Sequence, residues 1–226
     1  MSSTPLEEQN KKIQKRMLNL TDVRIIPLPR DSKWLRPLQM IYVQDNMQKK
    51  WDLALSGDSV SIIIFNISRR KLIFVKQFRP AAFFACLPNR EKTKEIDLAK
   101  YPPMLGLTIE LCSGVVDKDK PLVNIAQDEV QEECGYQAPT SAFQKILTYR
   151  SIGCAVSKQT LFYVEVTDEM NIHPGGGLES EGELIEIIEM SVEEVRNYIN
   201  SEEVQSPASF LNGVSWFLIN KKDRYV

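Results

Sequence analysis

The chain has 226 residues, 43% apolar and 26% charged, the balance of a soluble globular protein with room for one large domain or one domain with appendages. A formal net charge of −2 excludes a general attraction to nucleic acid or anionic membrane, and no apolar run approaches the ~20 residues of a membrane span. One histidine, His173, excludes His-rich metal sites and most Ser-His or Cys-His machinery, which leaves carboxylates to carry any catalysis.

From the N-terminus, residues 1–33 read as a peripheral segment. Residues 1–10 lack a signal-peptide core and carry Glu7 and Glu8, so the expected location is the cytoplasm. The cluster Lys11, Lys12, Lys15, Arg16 reads as the solvated face of a short helix rather than a nuclear-localisation signal. Strands are expected over residues 38–43 and 50–55, joined by a turn at Gln44-Asp45-Asn46, and over 59–66 and 72–78, joined at Ser68-Arg69-Arg70. Residues 84–105, with Pro88, Pro102 and Pro103, read as a long insertion that is partly mobile. A strand over 107–111 leads into Ser113-Gly114.

The spacing then predicts a helix over 121–134, with Pro121 favoured in a first turn and Gly135 as a C-terminal stop. Strands follow over 146–150, 159–166 and 184–190. Ser191 and Glu194 form a capping box for a helix over 192–200, and an amphipathic helix covers 210–220. Many strands with few helices predict an α+β protein with a mixed sheet covered by helices. Cys86, Cys112, Cys134 and Cys154 contain no C-x-x-C pair, so zinc and a disulfide framework are not expected; reduced, mostly buried thiols are.

Chemistry concentrates in residues 114–136. At ~100° per residue, Glu129, Glu132 and Glu133 fall within roughly 100° of arc on one helix face, beside a buried stripe of Ala126, Val130 and Cys134. Crowded carboxylates repel unless a hard divalent cation sits between them. A run of glutamates alone is a common solvated helix face. The complete pattern of Gly114, Glu129, Val130, Glu132, Glu133, Gly135 and Tyr136, however, resembles the signature of the Nudix hydrolase family, G-x5-E-x7-R-E-U-x-E-E-x-G-U with U apolar. Two positions depart from it: Lys120 stands where the family has Glu, and Asp128 where it has Arg. Opposite charges at these positions can still pair and brace the loop before the helix.

The resemblance is to the family's nucleoside-diphosphate-sugar branch and runs over residues 34–217. It implies an α/β/α sandwich over residues 34–226, in which residues 34–58 supply strands that pair two copies into a homodimer. It implies Mg²⁺, or Mn²⁺ in its place, held by Glu129, Glu133 and the main chain of Ser113, with Glu132 as a further ligand or supporting acid. It places the water-activating base in the loop from Gly175, at Glu183 first and Glu181 second. Arg79, in Lys76-Gln77-Phe78-Arg79-Pro80, would clamp phosphate, because a planar guanidinium matches phosphate oxygens in pairs. Trp51 would stack on the base across the dimer interface, a core tryptophan being the alternative. The implied activity is hydrolysis of UDP-glucose to UMP and glucose 1-phosphate. The alternatives are an ADP-ribose pyrophosphatase or a nucleotide-sugar binding protein of the same fold without turnover.

Overall fold

The computed structural model describes residues 4–32, 34–88 and 95–224. Its main sheet runs in the order β10-β4-β3-β9-β7, from strands Ser59–Asn66 (β3), Lys71–Phe78 (β4), Gln144–Arg150 (β7), Lys158–Val166 (β9) and Glu186–Ser191 (β10). β3 and β9 pair in parallel and the other neighbours antiparallel. The sheet is therefore mixed, as the sequence predicts.

Both faces of the sheet are covered, which explains why β3 reads as an unbroken apolar run instead of alternating with polar residues. Ile62 and Ile64 face helix Leu122–Cys134 (α3) and pack with Ile125, Ala126 and Val130. Ile63 and Phe65 face the other way, against helices Val192–Ile199 (α4) and Ala208–Asn220 (α5), where Phe210, Val214 and Phe217 fill the layer. The result is the expected α/β/α sandwich. Ser191 and Glu194 make the expected capping box of α4.

The sheet forks between β3 and β4. They pair only where Ile64, Phe65 and Asn66 meet Ile73, Leu72 and Lys71. Beyond that point Leu107–Glu110 (β5) pairs with β4, and Cys112–Val115 (β6) pairs with β3. One short stretch thus changes partner at Leu111 and wedges the fork open. Sequence periodicity sees a single strand there, because the change of partner leaves no mark on hydrophobic spacing.

Strands Arg36–Gln44 (β1) and Met47–Leu55 (β2) form a hairpin that joins Ala155–Val156 (β8) in a separate sheet. Asp45 and Asn46 both take φ values above +50°, the backbone of a tight hairpin turn that these two residue types tolerate. Leu38, Met40, Ile41, Val43, Met47 and Trp51 are all exposed.

At the N-terminus the helix is longer than the basic cluster suggests. It spans Pro5–Met17 (α1), with Thr4 and Glu7 closing a capping box. Lys11, Lys12, Lys15 and Arg16 are exposed as expected, while Met17 is buried and Leu6 packs on the sheet's core. A further short helix, Pro80–Ala85 (α2), starts the expected insertion with Pro80 in its first turn. Phe83, Leu87 and Ile96 form a small core of their own there with Val23 and Tyr101 at its edge. Residues 89–94 of that insertion, whose mobility the sequence suggested, lie outside the described residues. All four cysteines are free, but the expectation of mostly buried thiols holds only for Cys112 and Cys134; Cys86 and Cys154 are exposed because they lie in connecting segments outside the sheet and α3. Among the described residues no helix is long and apolar enough to cross a membrane.

Candidate active site

The site lies where α3 crosses the forked end of the sheet. Gly114 on β6 is the point of closest approach. A Cβ built there would stand 1.9 Å from Glu129 Oε1, so the Glu129 carboxyl occupies space that any side chain would take. The glycine is needed for room and not for an unusual backbone angle. At the far end of α3, Gly135 takes φ +78°, and its N–H donates to the Gln131 carbonyl, closing the helix in the left-handed manner the sequence predicts.

Glu133 is buried, 3% exposed, and its Oε2 accepts the Ser113 N–H at 3.0 Å. The Cys112 thiol also hydrogen-bonds to it. Burial nevertheless dominates and pushes the Glu133 carboxyl up to about 8, with the nearby Glu129 and Glu183 charges adding to the rise. Burial raises Glu129 to about 7, assisted by Glu132 and Glu183. Glu132 is raised as well, by burial first, with Lys118 pulling it back down. Burial and mutual repulsion thus oppose ionisation at all three carboxyls.

Glu183 comes from the loop between residues 173 and 185. Its charge acts on Arg79, Glu129, Glu132 and Glu133. Its Oε2 accepts the Leu178 N–H at 2.8 Å and lies against Gly177, whose φ of +84° and lack of Cβ allow that approach. Glu181, in the short turn Glu179–Glu181, is exposed, and its charge is the least of those raising Glu132. The two acids the sequence offers for one role therefore sit in different surroundings.

Arg79 follows β4 on the same face. Its Nε and Nη2 donate to both oxygens of Glu110, each at 2.7 Å, and Thr108 Oγ1 donates to Glu110 Oε1 at 2.6 Å. Glu110 is 7% exposed, so this pair fixes the guanidinium plane, and the charges of Glu133 and Glu183 act on the same guanidinium. Glu110 was not singled out from the sequence. The signal available was an acid within the apolar strand 107–111, since a buried carboxylate requires a cation or several donors.

Lys120 Nζ meets Asp128 Oδ2 at 2.7 Å, so the two departures from the signature pair with each other. Trp51 is not a core residue. It lies on the hairpin, half exposed, with its indole N–H donated to the Gly153 carbonyl at 3.0 Å, on a different sheet from the one that α3 covers.

Among the described residues no three Asp, Glu, His or Cys side chains already converge as a preformed metal cage. The donor chemistry still fits a hard divalent cation. The donors are carboxylate and main-chain oxygens, and the carboxyls are those whose ionisation burial and mutual repulsion oppose.

No family model matches the chain. Comparison with curated proteins finds uridine diphosphate glucose pyrophosphatase NUDT14 of Mus musculus, 38% identical over 198 residues that cover 82% of this chain and 89% of the relative. The protein of the same name from Bos taurus is 39% identical over 197 residues, with the same coverage. A GDP-mannose pyrophosphatase of Cronobacter sakazakii is 29% identical over 139 residues, 61% of this chain and 62% of the relative. With these identities, this fold and the signature residues gathered around Gly114, the chain belongs to the Nudix hydrolase family and is a hydrolase of it.

Proposed function

We propose that this protein hydrolyses the diphosphate of a nucleoside diphosphate sugar in a Mg²⁺-dependent reaction, with UDP-glucose as substrate and UMP and glucose 1-phosphate as products. The observation that carries the reading is the gathering of Glu129, Glu132, Glu133 and Glu183 opposite one oriented arginine. The names of the curated relatives, which are pyrophosphatases of nucleotide sugars, support the substrate class.

Glu129, Glu133 and the main chain of Ser113 would hold Mg²⁺, or Mn²⁺ in its place. Once bound, the cation supplies charge neutralisation at the phosphoryl oxygens and lowers the pKa of a bound water. Glu132, less buried, supports the set as a further acid. Glu183 takes a proton from the attacking water; a new P–O bond forms as the bridging P–O bond of the diphosphate breaks. Its surroundings favour it over Glu181, because its charge is felt by every other member of the site. Arg79, held flat by Glu110, orients the diphosphate. The Lys120–Asp128 pair keeps the loop braced in the opposite polarity, which argues for turnover rather than a site reduced to binding.

The protein is further proposed to act as a homodimer through the β1–β2 hairpin, whose apolar side chains lack cover within the chain, with Trp51 stacking on the base of a substrate bound to the partner.

The test is a substrate panel with purified protein and Mg²⁺. Release of glucose 1-phosphate from UDP-glucose, lost with chelator, is the expected result. Faster turnover of ADP-ribose would move the protein to the alternative substrate. No turnover of any nucleotide sugar, with binding retained, would establish a binding protein instead.

A further inference from the structure

The N-terminal helix α1 lies across the loop that carries Glu183. Asn10 Nδ2 donates to the Ile187 carbonyl at 2.8 Å, and Asn10 Oδ1 accepts the Ile187 N–H at 3.2 Å. One side-chain amide thus satisfies both main-chain groups of a residue on β10, the edge strand of the main sheet, as a further strand would. One position earlier, Gln9 Nε2 donates to the carbonyls of Pro174 and Gly175, each at 3.2 Å. A Cβ at Gly176 would come within 3.2 Å of Gln9 Nε2 and 3.4 Å of Ile13 Cδ1, so the helix sits directly on the loop backbone.

From there the loop is tied to the end of α3. The Gly176 N–H donates to the Glu133 carbonyl at 2.8 Å, and the Gly177 N–H donates to the Glu132 carbonyl at 3.2 Å. Gly177 is also the residue against which the Glu183 carboxylate rests. Gly175, Gly176 and Gly177 all take φ values between +69° and +112°, a backbone that only glycine adopts readily and that has few side-chain contacts of its own to hold it. The main-chain hydrogen bonds on its two sides, α1 above and α3 below, supply that restraint.

We propose that α1 is a built-in clamp for the active-site loop, and that Gln9, through Gly175–Gly177, and Asn10, through Ile187 and the Ile185 N–H that donates to the Gly176 carbonyl, are positioning residues for turnover acting on Glu183 and on the turn bearing Glu132 and Glu133. The proposal rests on the role assigned to Glu183 above. Neither residue touches the carboxylates, so their effect is on placement of the base and not on substrate affinity. A displacement of about 1 Å at a reacting group can cost on the order of 100-fold in rate. Loss of one of these tethers, the others and the exposed Arg16–Glu179 pair remaining, should cost roughly 10-fold.

The experiment uses the full chain and compares Asn10→Ala and Gln9→Ala with wild type in two readouts. The first is kcat and KM on UDP-glucose with saturating Mg²⁺. The second is hydrogen exchange at the Gly176 and Gly177 amides, which does not depend on turnover. The expected result is kcat lowered roughly 10-fold with KM within about 2-fold, and faster exchange at those amides while the sheet core stays protected. Unchanged exchange overturns the clamp; faster exchange with wild-type kcat overturns the positioning role. Should Asn10→Ala lose the fold, Gln9→Ala, which leaves the sheet edge paired, decides alone. An inactive wild type would sink the assigned activity, while the exchange result would still decide whether α1 restrains the loop.

Discussion

The two sheets of this protein treat their apolar residues in opposite ways. In the main sheet, both faces of β3 and β4 are covered, and two cations at its edge are partnered, Arg79 by Glu110 and Lys76 by Glu186. In the hairpin sheet, Met40, Ile41, Val43 and Met47 are exposed, and only the end of β2 gains a third strand, at Ala155 and Val156. The difference separates what one chain covers by itself from the face that the proposed dimer would cover. The carboxylate site belongs to the first region and Trp51 to the second.

The sharpest way to break the comparison is Glu133→Gln. If the main sheet holds a complete catalytic set, removing one charge from its most buried carboxyl should lower kcat by at least about 100-fold at saturating Mg²⁺, with the fold intact by circular dichroism. A near-normal kcat would remove Glu133 from the machinery.

Val43→Asp asks the reverse question of the hairpin. The expected outcome is a monomer in sedimentation at micromolar concentration, with kcat/KM lowered roughly 10-fold, mostly through KM, because the base loses its stacking partner. A dimer of unchanged strength would show that the exposed face is not the interface.

A third prediction follows from the raised carboxyls. A group with a higher pKa in the folded than in the unfolded chain binds more protons when folded, so stability falls as pH rises. For Glu133 the loss should begin above the ordinary glutamate value of about 4.3 and be complete above about 8. Chelated protein should therefore melt lower at pH 8 than at pH 5, by about 2–4 °C for each kcal/mol at this chain length. Added Mg²⁺ should restore most of the difference at pH 8, and Glu133→Gln should flatten it. A chelated protein as stable at pH 8 as at pH 5 would contradict the burial argument.

The smallest effect is expected at Lys120–Asp128. Solvent screens an exposed pair of this kind, so Lys120→Ala should barely move the melting temperature. A double-mutant cycle with Asp128→Ala on kcat/KM, run across Mg²⁺ concentrations, should show coupling at low Mg²⁺; strict additivity would mean the pair does not brace the loop.

Much of this arrangement was legible in the residues. The carboxylate face of α3 followed from the 3.6-residue repeat, and its ends from Pro121 and Gly135, because these are local rules. The Lys120–Asp128 contact followed from charge reversal at two linked positions. What escaped depends on distant contacts. Glu110 pairs with Arg79 only because the sheet forks and β5 enters beside β4, which no local pattern encodes. The reach of Asn10 to Ile187 spans most of the chain. The Thr4-Pro5-Leu6-Glu7 capping box marks the start of the N-terminal helix by a local rule, whereas the basic cluster after it marks only the exposed face.

The strand that changes partner at Leu111 has one more consequence. Glu110 orients Arg79, and three residues later the Ser113 N–H reaches Glu133. The two are joined by continuous extended chain, at about 3.3 Å per residue, so their separation of roughly 10 Å is set mainly by covalent geometry. That segment works as a ruler. Thermal loosening of the surrounding helices can shift the whole site, but the spacing of the two backbone points that anchor Arg79 and Glu133 stays gauged by the chain itself.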